Sequence, residues 1–385
     1  MAFLWLVASL QLVLGSRVLW RMARSAGGTR IVVDGAAPIA SGTITVIVPV
    51  LDEVARLAPC LEGLRASDAS VREILVVDGG SSDGTQALVE TFAQRDPRVR
   101  LLDATPIPED WNGKAWGLET GLRASSPDAA WITTIDADVQ PTPHLPGAMA
   151  AQAVHAHVAA LSIATLQTLP DLGSGLLHPA MLTTLVYRYG LPGHAARAVE
   201  NVQANGQCFL ARRDVLLATD AFGIARASVC EDVTIARAIV RAGHSVGFYE
   251  AGDAVVVRMH ANWRETWTNW PRSLTLRDAL APSLAALGLA EITFVQALPL
   301  PIVAVLALVG HAGAAANAIF TLGVVFLMMR LGVLAGTARA YRNPPWTYWL
   351  SPLADGPVAA ALLASALRRR HTWRGRTLVT SGRTN

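Results

Sequence analysis

From residue 44 to residue 138 the chain alternates β-branched apolar runs with stretches of helical periodicity, and carboxylates sit at the ends of the runs. ITVIVPVLDE (residues 44–53) reads as a buried strand ended by Pro49. Residues 54–64 then place Val54, Leu57, Leu61 and Leu64 at helical spacing. EILVVDGGSSDGT (73–85) is a second buried strand running into Asp78 and a Gly-Ser turn, with a helix over 86–93. VRLLDA (99–104) and WITTIDAD (131–138) supply a third and a fourth strand. Strands alternating with helices predict an α/β fold with parallel pairing, in which ligands bind outside the carboxyl ends of the strands. Asp52, Glu53, Asp78, Asp136 and Asp138 fall at such ends. In an extended segment Asp136 and Asp138, at i and i+2, point to the same side. There they could hold a divalent cation with a diphosphate, because a hard cation such as Mg²⁺ takes few carboxylates and leaves positions for phosphate oxygens. Acidic pairs also cap turns, so the pair alone leaves both readings open. G-x-G-x-x-G after the first strand and G-x-x-x-x-G-K-[ST] are both absent, which argues against a dinucleotide-binding domain and a P-loop nucleotidase.

Charged residues make up 16% of the 385 residues, against about 25% in ordinary soluble chains. The shortfall is local: the apolar excess lies at the N-terminus and beyond residue 280, as membrane segments would place it. Residues 1–24 read as an uncleaved anchor, since Arg17, Arg21, Arg24 and Arg30 come at and after the end of the apolar run, where a signal peptide carries its charge before it. The same charges put the following segment in the cytoplasm. Residues 25–42 read as a linker, 43–280 as the catalytic region, 281–370 as C-terminal membrane segments and 371–385 as a cytoplasmic tail. Segments 284–309 and 314–336 are each long enough to span, carrying Glu291 and Arg330 as single charges near an interface. A third stretch, 346–367, is broken by Ser351-Pro352 and Asp355-Gly356-Pro357 and followed by three arginines, so the positive-inside rule favours a re-entrant or interfacial hairpin. The expectation is a multi-pass protein of the cell membrane. The net charge of +3 comes from arginines beside the apolar runs, without the aromatic interleaving of a nucleic-acid surface, so no nucleic-acid partner is expected. Cys60, Cys208 and Cys230 match no metal-ligand spacing and read as buried small hydrophobes in a reducing compartment.

The strand ending in ITVIVPVLDE, the VVDGGSSDGT turn, the IDAD pair and a later CED (230–232) together resemble a family 2 glycosyltransferase of the GT-A fold, a Rossmann-like nucleotide-diphospho-sugar transferase. The resemblance covers about residues 44–276. PEDWNGKAWGLETG (108–121), VRMHANWRETWTNWPRSL (257–274) and the TWRGRT tail (372–377) are similar to the lipid-directed subgroup, the ceramide glucosyltransferases and the carotenoid- and hopanoid-associated enzymes. The resemblance implies inverting transfer of a hexose from a UDP-sugar to a hydroxyl of a membrane lipid. Asp78 would meet the uracil edge, and Pro49 and Glu53 would frame the nucleoside. Asp136 and Asp138 would bind the donor and a Mg²⁺ or Mn²⁺, with Asp138 the direct ligand. Asp232 would be the general base, and Glu231 would orient the acceptor. Lys114, the only lysine in the chain, would offset charge on the departing diphosphate.

A (Gln/Arg)-x-x-Arg-Trp signature of processive and ceramide-type relatives is missing after the base, which leaves Arg258 and Arg272 as candidates for the diphosphate. Trp263, Trp267 and Trp270 share one helix face, suited either to a membrane interface or to the core. Trp267 and Trp270 are candidate acceptor contacts. Two other readings fit the motifs: sugar transfer to a polyprenyl phosphate, which needs no base, and a non-catalytic membrane scaffold of the same fold.

Overall fold

The computed structural model describes residues 2–368 and the backbone of 370–373 and 376–379. The N-terminal apolar run is one helix, α1 (Ala2–Ser25). The next segment builds β1 (Ile44–Val50), α2 (Leu57–Arg65), β2 (Val71–Asp78), α3 (Thr85–Ala93), β3 (Val99–Asp103), α4 (Gly113–Ala124) and β4 (Trp131–Ile135). β1 pairs in parallel with both β2 and β4, and β2 with β3. Side chains of β1 alternate between two cores, as a strand covered on both faces requires: Val46 and Val48 pack with Leu57 and Leu61, Ile47 with Leu75, Leu118 and Ile132. Pro49 does not end β1. It pairs opposite Val77, and the strand continues to Val50, since a proline one residue from the end forfeits at most one ladder bond.

The fourth strand is shorter than its sequence suggests. It stops at Ile135, and Asp136-Ala137-Asp138 form a turn, closed by the Val139 N–H on the Asp136 carbonyl at 3.1 Å, ahead of β5 (Val139–Pro141). Strand alternation therefore does not aim the two carboxylates; the turn does. After β5 come α5 (Leu145–His155), β6 (Ala160–Ala164), β7 (Leu166–Thr168), α6 (Leu172–Tyr189), β8 (His194–Ala196), β9 (Cys208–Arg212), α7 (Arg213–Ala218), α8 (Ala221–Ile224), α9 (Glu231–Arg241), β10 (Val246–Glu250), β11 (Val255–Val257) and α10 (Trp263–Leu274). The large sheet runs β3-β2-β1-β4-β9-β6-β10-β8. It is mixed, because β9 lies antiparallel between β4 and β6 and β8 antiparallel on β10.

The C-terminal part begins with α11 (Pro282–Glu291), which passes through a π-helical turn (Ile292–Ala297) into α12 (Pro299–Val309). It continues with α13 (Ala314–Thr337), β12 (Tyr341–Arg342), a 3₁₀ segment (Trp346–Ala354) and α14 (Asp355–Leu367). β12 returns the chain to the catalytic region by pairing with β7, completing a small second sheet with β11 and β5. The strands Arg370–Trp373 and Arg376–Val379 form a hairpin. Arg374 and Gly375, the centre of the TWRGRT motif, lie outside the described residues, as do 380–385. Among the described residues four helices are long and apolar enough to cross a membrane: Ala2–Ser25, Pro282–Val309, Ala314–Ala340 and Trp346–Leu367. The stretch expected as a broken hairpin is a 3₁₀ segment followed by α14, 22 residues in all, and its far end comes back to the segment before α11, where Arg277 donates to the Arg368 carbonyl at 2.8 Å.

The two charges inside the apolar stretches are buried and paired within the protein. Glu291, 1% exposed, accepts from Arg17 Nε at 3.1 Å and Arg21 Nη1 at 3.0 Å, both on α1. Arg330 and Asp355, equally buried, pair at 2.9 Å, with Ser351 and Gln296 adding hydrogen bonds. Leaving one partner of such a pair alone costs about 3–5 kcal/mol, so the pairs fix which helices may neighbour each other. Gly15 of α1 admits the Phe326 ring of α13 where a Cβ would collide. Residues 25–42 are strapped down as well: Arg30 pairs with Glu250 at 3.0 Å, and the Ile31 N–H donates to the Glu250 carbonyl.

Candidate functional site

Three loops converge at the carboxyl ends of β1, β2 and β4. The first precedes α4. Asn112 caps that helix by accepting from the Ala115 N–H at 2.7 Å, a role amide side chains perform well. Its own amide donates to the Ser228 carbonyl at 3.1 Å, which ties this loop to the one before α9. Gly113 and Lys114 open the helix, and the Lys114 ammonium bridges Asp136 Oδ1 at 2.7 Å and Glu231 Oε1 at 2.9 Å. Burial alone would discharge this lysine; the two carboxylates outweigh it and hold its pKa above the ordinary value.

The second loop is the turn after β4. Asp136 is engaged by Lys114, whereas the Asp138 side chain makes no hydrogen bond or ion pair to any described residue. Burial, and then the negative charge of Asp136, push the Asp138 carboxyl up to about 7. Two neighbouring carboxylates, one of which raises the other and leaves it without a partner among the described residues, are chemically suited to share a divalent cation. No group of three or more His, Cys, Asp or Glu side chains stands ready for a metal among the described residues. The pair therefore fits an ion that takes few protein ligands and completes its shell with water or phosphate oxygens, such as Mg²⁺ or Mn²⁺.

The third loop leads into α9, whose first turn carries Glu231 and Asp232. Asp232 accepts from the Gly206 N–H at 2.6 Å, the Val233 N–H at 2.8 Å and the Cys230 thiol at 3.0 Å. Cys230 is thus more than a small hydrophobe. Burial raises its pKa, so it stays a thiol and can donate. Burial, with the neighbouring charge of Glu231, lifts Asp232 to about 6, placing it where a carboxylate is a competent proton acceptor near neutrality. Glu231 goes the other way, because Lys114 overcomes the burial that would raise it. Asp278 holds this loop from behind by accepting from Ser228 Oγ, Val229 N and Cys230 N within 3.0 Å.

Gly206 sits between Lys114 and Asp232. A Cβ there would lie 3.1 Å from Lys114 Nζ and 3.3 Å from Asp232 Cβ. Displacing a reacting group by 1 Å can cost about a hundredfold, so Gly206→Ala, which needs a few tenths of an ångström, is expected to lower kcat about tenfold with little change in melting temperature. Steady-state kinetics beside thermal unfolding checks this; an unchanged kcat would show that the gap is not part of the reacting geometry.

A cavity of about 820 Å³ joins these groups to the helices. Pro49, Glu53, Lys114, Asp136, Asp138, Glu231 and Asp232 line its polar end, and Arg56, paired with Glu53 at 2.7 Å, lies beside them. Leu182, Leu185, Trp270, Leu274, Gly336 and Ala340 line its other wall, from α6, α10 and the end of α13. Asp78 does not line it. It is 1% exposed, and its carboxylate accepts from the Gly80 and Ser81 backbone, Ser81 Oγ and Gln86 Nε2. In this conformation those bonds hold the Gly-Ser turn. Of the arginine candidates, Arg272 lines the cavity, its pKa brought down to about 10 by burial. Arg258 is exposed, turned toward the Ala261 carbonyl and outside the lining. The tryptophan face divides: Trp270 turns inward, while Trp263 and Trp267 stay 39% and 36% exposed. Trp111 and Trp116 pack edge to face at 5.1 Å, with Trp116 Nε1 on the Ala104 carbonyl.

Asn112, Gly206 and Asp278 were not singled out by sequence. Asn112 lies inside the quoted PEDWNGKAWGLETG, where a capping residue ahead of the lysine is the available signal, and Gly206 lies in NGQC (205–208), where a small residue before a strand is the only one. Asp278 carries none.

Residues 45–216 match the sequence profile described as Glycosyl transferase family 2. Among characterised proteins, a glycosyltransferase, AglE, of Haloferax volcanii is 30% identical over 100 residues, 26% of this chain and 31% of that protein. The lipopolysaccharide core biosynthesis glycosyltransferase LpsC of Rhizobium meliloti is 35% identical over 88 residues, 23% of this chain and 28% of that protein. The chain therefore matches less than a third of the length of either relative. A mannosyltransferase from Pyrobaculum calidifontis, solved in complex with GDP-Man and Mn2+, superposes with a TM-score of 0.55 at 18% identity, over 94% of this chain and 98% of that one. That likeness is one of fold.

Proposed function

We propose that this chain, whose residues 45–216 match the family 2 glycosyltransferase profile and whose fold is that of the Pyrobaculum mannosyltransferase, transfers a hexose, with inversion, from a UDP-sugar to a hydroxyl of a membrane lipid. The observation that carries this reading is a cavity whose lining joins the carboxylates and Lys114 to Leu182 and Leu185 of α6 and Trp270 and Leu274 of α10. A water-soluble donor and an apolar acceptor would meet in such a space. The Pyrobaculum mannosyltransferase, solved with a nucleotide sugar and Mn2+, supports a nucleotide-sugar donor and a divalent cation.

In the proposed reaction the Asp232 carboxylate takes the proton of the acceptor hydroxyl as its oxygen bonds to the anomeric carbon. The bond from that carbon to the diphosphate oxygen breaks on the opposite face. One base suffices, unlike the paired close carboxylates of retaining hydrolases. Glu231 orients the acceptor, while Lys114 and Arg272 offset the charge that grows on the diphosphate. Asp138, with Asp136, would hold Mg²⁺ or Mn²⁺, which when bound supplies Lewis-acid neutralisation of that same charge. Pro49 and Glu53 frame the nucleoside from the end of β1. The four long apolar helices fit a multi-pass membrane protein whose catalytic part faces the cytoplasm, where nucleotide sugars are made. Carotenoid or other isoprenoid alcohols suit the apolar wall ahead of ceramide or diacylglycerol.

Membranes from expressing cells, incubated in parallel with radiolabelled UDP-glucose, UDP-galactose and GDP-mannose, test the assignment. The expected result is label in a lipid fraction from a UDP-hexose, with the sugar's anomeric configuration opposite to the donor's. Label from GDP-mannose alone would overturn the donor, and a retained configuration would overturn the single-base mechanism.

A further inference from the structure

His178 stands in the middle of α6, on the wall of the cavity, and is 3% exposed. Its ring is held on three sides. Nδ1 is 2.9 Å from the Tyr341 hydroxyl. The imidazole lies on the Trp270 ring with centroids 4.1 Å apart, and the Tyr341 ring meets it edge-on at 5.4 Å. Nε2, however, has no hydrogen-bond partner among the described residues. His260, also on the cavity wall, carries a second unpartnered Nε2. Buried side-chain nitrogens are nearly always paired, and leaving one unpaired costs about 1–3 kcal/mol. Two in one cavity, one of them on a ring held by a tilted contact with Trp270 and by a phenol, describe a site built to receive a hydrogen-bonding group.

We infer that His178 Nε2 binds an uncharged hydroxyl of the lipid acceptor, with Trp270 and Tyr341 setting the plane of the imidazole and His260 facing the same space. The inference rests on the lipid-acceptor reading above and adds the residue that recognises the acceptor's polar end. A hydroxyl is the group that fits either tautomer of the ring. If the Tyr341 phenol donates to Nδ1, then Nε2 carries the hydrogen and needs an acceptor oxygen. If Nδ1 donates to the phenol, Nε2 needs a donor. A hydroxyl is both, whereas a carbonyl answers only the first case. Burial pushes the His178 pKa down to about 3 and lowers that of His260, so both rings are neutral at physiological pH. Neutral imidazoles do little for a phosphate dianion and suit an alcohol. The apolar neighbours Leu182 and Leu185, on the same helix and the same wall, leave room for a hydrocarbon body next to that hydroxyl.

The test uses the full chain in phosphatidylcholine vesicles carrying, in turn, a hydroxylated carotenoid, ceramide or diacylglycerol, with labelled donor. His178→Phe keeps a ring against Trp270 and removes the nitrogen. It is expected to raise KM for the lipid about five- to tenfold, the worth of one hydrogen bond, with KM for the donor unchanged. His178→Gln, which returns an amide near the Nε2 position, is expected to recover most of the loss. Tyr341→Phe, which frees the ring but keeps its packing, is expected to raise the lipid KM in the same sense by a smaller factor and carries the test if His178→Phe does not fold. An unchanged lipid KM in these variants would mean that Nε2 is satisfied by water alone, and would overturn the inference while leaving the lipid reading intact. Failure of the unmodified chain to label any of the three lipids would overturn both.

Discussion

Asp232→Asn is expected to lower kcat by about 10²–10⁴, the usual worth of a positioned general base, with the donor KM little changed. The substitution is nearly isosteric. Its cost to the fold is the bond from the Gly206 N–H, at 2.6 Å, if the amide nitrogen turns toward Gly206. That is about 1 kcal/mol, too little to unfold a chain with this much buried core. The unmodified enzyme should show the same group in its pH profile. Burial and the charge of Glu231 raise Asp232 from 3.8 to about 6, so the proton-accepting form is lost as pH falls through about 6. Log kcat/KM is therefore expected to be flat near neutrality and to drop with unit slope below that point. The variant should lack this limb. Survival of full activity in Asp232→Asn would exclude a hydroxyl acceptor and favour a polyprenyl phosphate, whose oxygen is already ionised and needs no base.

Asp138→Ala is expected to remove metal-dependent transfer by roughly a thousandfold or more, equivalent to about 4 kcal/mol of lost charge stabilisation. The protein should not be destabilised by it. Asp138 makes no hydrogen bond to described residues, and its ionised form is disfavoured by burial and by Asp136. Deleting it relieves a like-charge contact, so the melting temperature is expected to stay the same or rise. Loss of activity with retained or increased stability marks a residue kept for chemistry. Titration of Mn²⁺ against intrinsic fluorescence should show binding to the unmodified chain and none to the variant. Full activity in Asp138→Ala would remove the cation site from the mechanism.

The four strands through residue 135, the helices after the first two of them and the carboxylates at the strand ends were legible in the sequence because they depend on local period and on residue type; α4, the helix that carries Lys114, was not. What was not legible depends on partners far along the chain. The antiparallel placement of β9 is decided by its fit between β4 and β6, and nothing within CFLAR announces it. Glu291 looked like a charge near an interface; its partners Arg17 and Arg21 are 274 and 270 residues away. The same holds for Arg330 and Asp355. Helical spacing placed three tryptophans on one face correctly, yet which of them turns inward is set by how α10 docks on α6, where Trp270 meets His178. Asp78 shows the limit from the other side. Its position at a strand end was read correctly, and in this conformation hydrogen bonds from four local donors tie it to its turn. Strand alternation was the wrong reason for grouping Asp136 with Asp138. The turn that carries them leaves one bound to Lys114 and the other unpartnered, a division of roles that period alone does not contain.

The central claim is that one cavity brings a nucleotide sugar and a membrane lipid together over Asp138 and Asp232. The most direct test is single-vesicle-population transfer by the purified full chain, scored as labelled sugar moving from the aqueous donor into the organic-extractable lipid. Label is expected in the lipid, abolished by EDTA and restored by excess Mn²⁺ or Mg²⁺. Label that remains wholly in water, or lipid labelling indifferent to EDTA, would contradict that claim.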